Sequence, residues 1–183
     1  MQKRNEESPA QVIALCAVMA ALGAAVMLTG GLIPILTYCS PLAAGLLLIP
    51  VIHEYGSGRA WMTWGVTALL ALILCADKEA AFFYLFLGYY PIIKKVLDRV
   101  PQRALRLLLK LVLFAAALAL MYGLLYFVLG LDSFVNDLNA AGTVLNIAVY
   151  LGLVAAMMVF DMAIGNIAKL YVRRLRPRIR FLK

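Results

Sequence analysis

The chain is dominated by apolar runs of nearly bilayer length that follow one another with only short polar breaks. Hydrophobic residues make up 65% of its 183 positions, more than the core of a water-soluble protein of this size could hold. The runs fall at 9–28, 32–52, 60–76, 80–93, 105–131 and 143–172. We therefore expect an all-α polytopic membrane protein, a bundle of six transmembrane helices in the cell membrane.

The distribution of basic residues predicts the orientation of this bundle. Lys and Arg collect in the short cytoplasmic loops of membrane proteins. With the N-terminus inside, six crossings leave Lys78 as the one basic residue, of 17, on the outer side. The N-in/C-in chain would then comprise a cytoplasmic tail at 1–8, a transmembrane domain at 9–172 and a basic cytoplasmic tail at 173–183. The net charge of +8 reflects this topology, so nucleic-acid binding is not expected.

The fourth run is the shortest and leaves the helix count open. It crosses the bilayer only if Asp77, Lys78 and Glu79 lie at one interface while Lys94 and Lys95 snorkel at the other. A bundle of four or five helices, with a re-entrant second or fourth segment, is the alternative.

The basic tail predicts contact with anionic lipid headgroups on the inner side. Five arginines follow one another closely there, with a helix-breaking proline, Pro177, among them. They are Arg173, Arg174, Arg176, Arg178 and Arg180. An acidic cytosolic partner is the alternative occupant of this patch.

Polar and aromatic residues near the predicted outer side indicate a site for a small polar ligand. The second run contains Pro34, Pro41 and Pro50, so its helix should be kinked or broken, and broken helices often line binding cavities in transporters. A simple packing kink is the alternative for this helix, and mere solvation is the alternative for the polar residues of the outer loops. The candidate ligand contacts are Tyr38, Lys78, Glu79, Tyr84, Asn146 and Tyr150.

Asp161 interrupts the apolar sixth run on the inner side, where a carboxylate must be paired, protonated or hydrated. Lys110 lies at a matching depth in the fifth run, so we predict an intramembrane ion pair between them. A proton relay that joins Asp161 to His53 and Glu54 is the alternative. The sequence contains no catalytic constellation and no metal-ligand spacing, and Cys16, Cys39 and Cys75 are isolated from one another. We therefore do not expect an enzyme, a cofactor or a metal site.

Small residues follow one face of the first run from end to end. Ala10, Ala14, Ala17, Ala21 and Ala25 recur at spacings of three and four, so another helix can approach this face closely. The contact could lie inside the bundle or with another protein.

With six helices, this alanine row and an irregular second helix, the chain resembles the substrate-binding S-component of energy-coupling factor transporters. The resemblance implies that Ala17, Ala21 and Ala25 contact a membrane coupling subunit, and that cytosolic ATPases drive the import of a vitamin-like micronutrient bound near the outer face. The chain is also similar in size and helix content to the rod-shape-determining membrane subunits of bacterial cell-wall machinery. A non-transporting structural subunit is therefore the alternative function.

Overall fold

The computed structural model describes residues 9–30, 36–129 and 132–175, with their side chains except at 125, 126, 128, 129, 132–147, 149, 174 and 175. The regular structure in these ranges is entirely helical. It comprises α1 (Pro9–Gly30), α2 (Cys39–Leu46), α3 (Leu48–Tyr55), α4 (Ser57–Leu74), α5 (Lys78–Leu87), α6 (Tyr90–Leu97), α7 (Arg103–Leu129) and α8 (Asp132–Leu170), which ends in a π-helical turn, Tyr171–Leu175. The all-α prediction is confirmed for the described residues.

Five helical segments are long and apolar enough to cross a membrane. They are Pro9–Gly30, Ser57–Leu74, Lys78–Leu97, Arg103–Leu124 and Tyr150–Arg173, and the shorter apolar segment Cys39–Tyr55 lies between the first two. Large apolar side chains face outward, among them Ile13, Met62 and Ile73 with 68%, 73% and 74% of their surface exposed. Such a surface suits lipid, and it is compatible with a multi-pass membrane protein.

The second segment is broken, as its prolines predict. Helix α2 ends at Leu46 and α3 begins at Leu48, with Leu47 between them. Pro50 explains the position of the break, because a proline has no N–H to donate to the carbonyl four residues earlier, here that of Leu46, and its ring crowds that carbonyl.

The fourth segment is broken too, although the sequence predicts one continuous run there. Helix α5 ends at Leu87 and α6 begins at Tyr90, and Pro91 stands four residues after Leu87. The two breaks lie side by side, since a Cβ on Gly45 would be 3.3 Å from the carbonyl oxygen of Gly88. Both interrupted segments therefore meet where their helical hydrogen bonding is interrupted.

Contacts between helices show that successive segments alternate in direction. Helix α4 runs parallel to α1, because Met19 packs in the same cluster as Ala60 whereas Met27 packs in that of Ala71. Helix α7 runs antiparallel to α5 and α6, because Glu79 meets Tyr122 whereas Tyr90 meets Phe114. The bundle thus has a Lys78 end, formed by the C-termini of α1 and α4 and the N-termini of α2 and α5, and an Arg103 end, where α3 and α6 finish and α4 and α7 start.

Candidate functional site

A carboxylate held by two tyrosines lies at the Lys78 end. The Tyr38 hydroxyl donates to Glu79 Oε1 over 2.6 Å, and the Tyr122 hydroxyl donates to the same oxygen over 3.4 Å. The ring of Phe83 meets that of Tyr38 edge-on, with 5.5 Å between centroids. Tyr38, Glu79 and Tyr122, here called the Glu79 cluster, come from three segments and are all half-buried.

The two charged residues just before Glu79 have local structural roles. Asp77 is the N-cap of α5, and its Oδ1 accepts a hydrogen bond from the Ala80 amide over 3.2 Å. The Lys78 ammonium donates to the carbonyls of Leu72 and Cys75, over 2.9 and 3.0 Å. It thereby satisfies carbonyls at the C-terminus of α4, where a cation also interacts favourably with the helix dipole.

The six predicted ligand contacts do not form one site. Tyr38 and Glu79 are in contact, whereas the Lys78 ammonium is hydrogen-bonded to carbonyls at the C-terminus of α4. Tyr84 is fully buried among Met27 of α1 and small residues of α2, α4 and α5, and Tyr150 donates to the Ala115 carbonyl over 2.7 Å. Asn146 lies in α8, and its side chain is outside the described part.

Helical geometry explains why Glu79 and Tyr84 are separated. Five positions on an α-helix correspond to about 140° around its axis, so the two side chains leave opposite sides of α5. Tyr122 was missed by the sequence reasoning, although a tyrosine near the end of the fifth run lies at the same depth as Glu79.

Two buried hydroxyls at this half of the bundle have no hydrogen-bond partner in the described structure. They are Ser40 Oγ and the Tyr84 hydroxyl. Ser40 packs against the end of α1 so closely that a Cβ on Gly30 would be 2.0 Å from the Ser40 Cβ. Unsatisfied polar groups are uncommon in buried positions, so these hydroxyls could bind a water molecule or a polar ligand atom.

A four-charge network lies toward the Arg103 end. The Lys110 ammonium is 2.8 Å from Asp161 Oδ2 and 2.8 Å from Asp98 Oδ1. The Lys94 ammonium contacts Asp161 Oδ1, the Asp161 carbonyl at 2.9 Å and Asp98 Oδ2 at 3.5 Å. The Tyr90 hydroxyl donates to Asp161 Oδ1 over 2.5 Å. This Asp161 cluster, comprising Tyr90, Lys94, Asp98, Lys110 and Asp161, joins α6, α7 and α8 with two positive and two negative charges.

The Lys110–Asp161 contact lies where the sequence predicts it, but Lys94 turns inward instead of snorkelling toward water. His53 and Glu54 belong to another group. His53 Nδ1 is 2.9 Å from the Ile49 carbonyl, and the Tyr171 hydroxyl donates to Glu54 Oε1 over 3.3 Å. The proton relay that would join His53 and Glu54 to Asp161 stays a prediction.

The alanine row of α1 lies on the outer surface of the bundle. Ala10, Ala14, Ala17, Ala21 and Ala25 are all exposed. The buried side of α1 is a different one, with Ala20, Gly23 and Ala24 facing the bundle. The row therefore does not mediate packing within the described part of the chain.

Two further predictions concern the basic tail and possible metal ligands. Of the five tail arginines, Arg173 is described and exposed, while the side chains of the other four lie outside the described residues. Among the described residues there is no group of three or more His, Cys, Asp or Glu side chains that could hold a metal ion.

These features are those of an all-helical chain, compatible with a multi-pass membrane protein, with one polar cluster toward each end of its bundle. No family model, curated protein or solved structure matches the chain.

Proposed function

We propose that the protein captures a small polar ligand at its Lys78 end, as the substrate-binding subunit of a multi-component importer of vitamin-like micronutrients. The Glu79 cluster is the observation that carries this proposal. It gathers a carboxylate and two tyrosine hydroxyls from three segments, at the end of a bundle whose surface otherwise suits lipid. A few convergent polar groups in apolar surroundings are typical of small-molecule sites.

The proposed orientation has six crossings with both termini in the cytoplasm. It is supported by the charges of the Arg103 end, where the loop between α6 and α7 and the helices beside it carry Lys95, Arg99, Arg103 and Arg106. The Cys39–Tyr55 segment supplies the sixth crossing, although it is shorter than the other five. The Lys78 end then faces outward, where a ligand would arrive.

The proposed partners are a membrane coupling subunit, which contacts α1, and cytosolic ATPases. The exposed row that contains Ala17, Ala21 and Ala25 supports this, because small side chains let a second helix approach closely in a membrane. The arginines between positions 173 and 180 would hold the inner surface against anionic lipids.

Native mass spectrometry of the protein, gently extracted from its host membrane, tests the proposal. We expect a retained small molecule together with a membrane coupling subunit and ATPases. Recovery with cell-envelope assembly proteins, and without a small molecule, would instead establish the structural subunit.

Replacement of Ala21 by Leu tests the partner face. The larger side chain would hold the partner helix away, so we expect at least a tenfold loss of co-purified coupling subunit with little change in thermal stability. Ala119→Leu is the matched control, because Ala119 is an exposed alanine on α7. Equal recovery of the coupling subunit with the Ala21 and Ala119 variants would exclude this face as the interface.

A further inference from the structure

The charges at the Lys78 end do not balance around Glu79. Three consecutive residues there are charged, but the Asp77 carboxylate caps α5 and the Lys78 ammonium is held by two α4 carbonyls. Glu79 forms no ion pair with Lys78 and accepts hydrogen bonds from the hydroxyls of Tyr38 and Tyr122, which are neutral donors. Among the described residues it is therefore a half-buried carboxylate without a countercharge.

The Asp161 cluster shows how the same chain treats carboxylates that only hold helices together. Asp98 and Asp161 are each contacted by Lys94 and Lys110, so two negative charges meet two positive ones. Since an uncompensated charge in a bundle of this kind is costly, the difference at Glu79 calls for a function.

The helix dipole of α5 offsets part of the Glu79 charge but does not cancel it. Glu79 lies in the first turn of a ten-residue helix, whose N-terminus carries the equivalent of about half a positive charge. Asp77 already caps that terminus and shares the effect. A negative potential therefore remains at the carboxylate.

The surroundings of Glu79 suit a cationic organic group. Both tyrosine hydroxyls are directed to Oε1, and no hydrogen bond or ion pair of Oε2 is found among the described residues. The ring of Tyr38 stands beside that of Phe83, so the carboxylate has aromatic neighbours. Aromatic faces attract ammonium groups, and a carboxylate next to them adds a full opposite charge.

We propose that Glu79 is the countercharge for a small organic cation, a ligand with a protonated or quaternary nitrogen, and that Tyr38 and Tyr122 hold the carboxylate in position to receive it. This rests on the proposed capture function and adds the charge of the ligand to it. Lys78 takes no part in recognition, because its ammonium is committed to α4.

The test compares two neighbouring carboxylates in the full-length protein extracted from host membranes. Native mass spectrometry measures the retained small molecule, and fragmentation identifies its charged group. We expect a cationic nitrogen compound in the wild type and at least a tenfold lower occupancy in Glu79→Gln. Asp77→Asn removes the same charge two residues away, so it should retain the ligand despite a weaker cap on α5.

The outcomes separate this inference from the function on which it rests. A retained molecule that is neutral or anionic, or is held equally by wild type and Glu79→Gln, overturns the cation site while capture stands. A wild type that retains no molecule, even after incubation with host extract, overturns the capture function and this inference with it. Thermal stabilisation by sodium ions alone, without a retained organic molecule, also counts against it.

Should Glu79→Gln fail to fold, two readouts remain. The charge of the molecule retained by the wild type requires no variant. Tyr122→Phe removes the longer of the two hydroxyl contacts to Glu79 but leaves the carboxylate and the Tyr38 contact in place, so we expect it to fold and to lower occupancy severalfold. Unchanged occupancy in that variant would exclude the positioning role of Tyr122.

Discussion

The Asp161 side chain has three polar side-chain partners in the described part of the bundle. Its carboxylate contacts Lys94, Lys110 and Tyr90, and its side chain is 15% exposed. Asp98 contacts the same two lysines but is 37% exposed, so water can replace part of its role. Two carboxylates of equal charge therefore differ in how much the fold depends on them.

We predict that Asp161→Asn lowers the free energy of unfolding by about 3 kcal/mol, because it leaves two poorly solvated lysines to share one carboxylate. Asp98→Asn should cost less than about 1 kcal/mol, since that carboxylate is more exposed. Thermal unfolding of the two variants in mild detergent measures the difference. Equal losses would mean that exposure does not govern the strength of this network.

Part of this network of contacts could be predicted from the sequence. Lys110 and Asp161 could be paired because each interrupts an apolar run at a similar depth. The inward turn of Lys94 could not be read in the same way, since a lysine at the end of a run can reach water instead. Glu79 and Tyr38 were selected as polar residues of one end, but the direction of each side chain around its helix was needed to separate them from Tyr84.

At the scale of the helices, the main feature is the pair of adjacent breaks in the second and fourth segments. A proline explains each of them, Pro50 between α2 and α3 and Pro91 between α5 and α6. At the second break the chain also needs a residue without a side chain, because a Cβ on Gly88 would lie 2.5 Å from the Tyr84 carbonyl oxygen and 2.6 Å from its ring. The interruption of the second run was predictable from its three prolines, whereas Pro91 is the single proline of the fourth run and lies near the end of it, so that run reads as continuous.

We predict that Gly88→Ala destabilises the protein by about 2 kcal/mol, since Tyr84 is fully buried and cannot move away from an added methyl group. Gly65→Ala should have the opposite effect. Gly65 lies inside α4 with open space around it, so alanine there should stabilise the helix by about 0.5–1 kcal/mol. Unfolding midpoints measured in detergent give the sign of the stability change for both variants. An unchanged midpoint for Gly88→Ala would show that the two breaks are loosely packed.

At the scale of the whole molecule, apolar runs and alternating loops were sufficient to predict a helical bundle, because a membrane leaves few ways to satisfy backbone polar groups. The number of crossings was harder to predict, since Cys39–Tyr55 is short and contains two prolines. Orientation rests on the concentration of basic residues near the Arg103 end.

Cysteine labelling tests that orientation. Cys39 is exposed at the start of α2, at the Lys78 end. We predict that a membrane-impermeant maleimide modifies Cys39 in intact cells, in a variant without the other two cysteines. Arg103→Cys in a cysteine-free chain should react only after permeabilisation. The reverse pattern would invert the topology.

Cys75 should react with maleimides more slowly than Cys39, although both lie at the Lys78 end. It lies one residue beyond the candidate span Ser57–Leu74, and burial raises the pKa of its thiol. A raised pKa means less thiolate at a given pH, so we predict slow alkylation of Cys75 by a permeant maleimide, with a pH profile displaced upward from that of a free thiol. Rates measured across pH 7–10 check this, and a Cys75 rate matching that of Cys39 would contradict the burial.

The Asp161 cluster also has a consequence for biosynthesis. Asp161 is translated 51 residues after Lys110 and 67 after Lys94, so both lysines are synthesised before their main carboxylate exists. Until the last helix arrives, they share Asp98. A nascent chain that stops short of Asp161 therefore has two lysines for one carboxylate in this network and carries surplus positive charge within its helices.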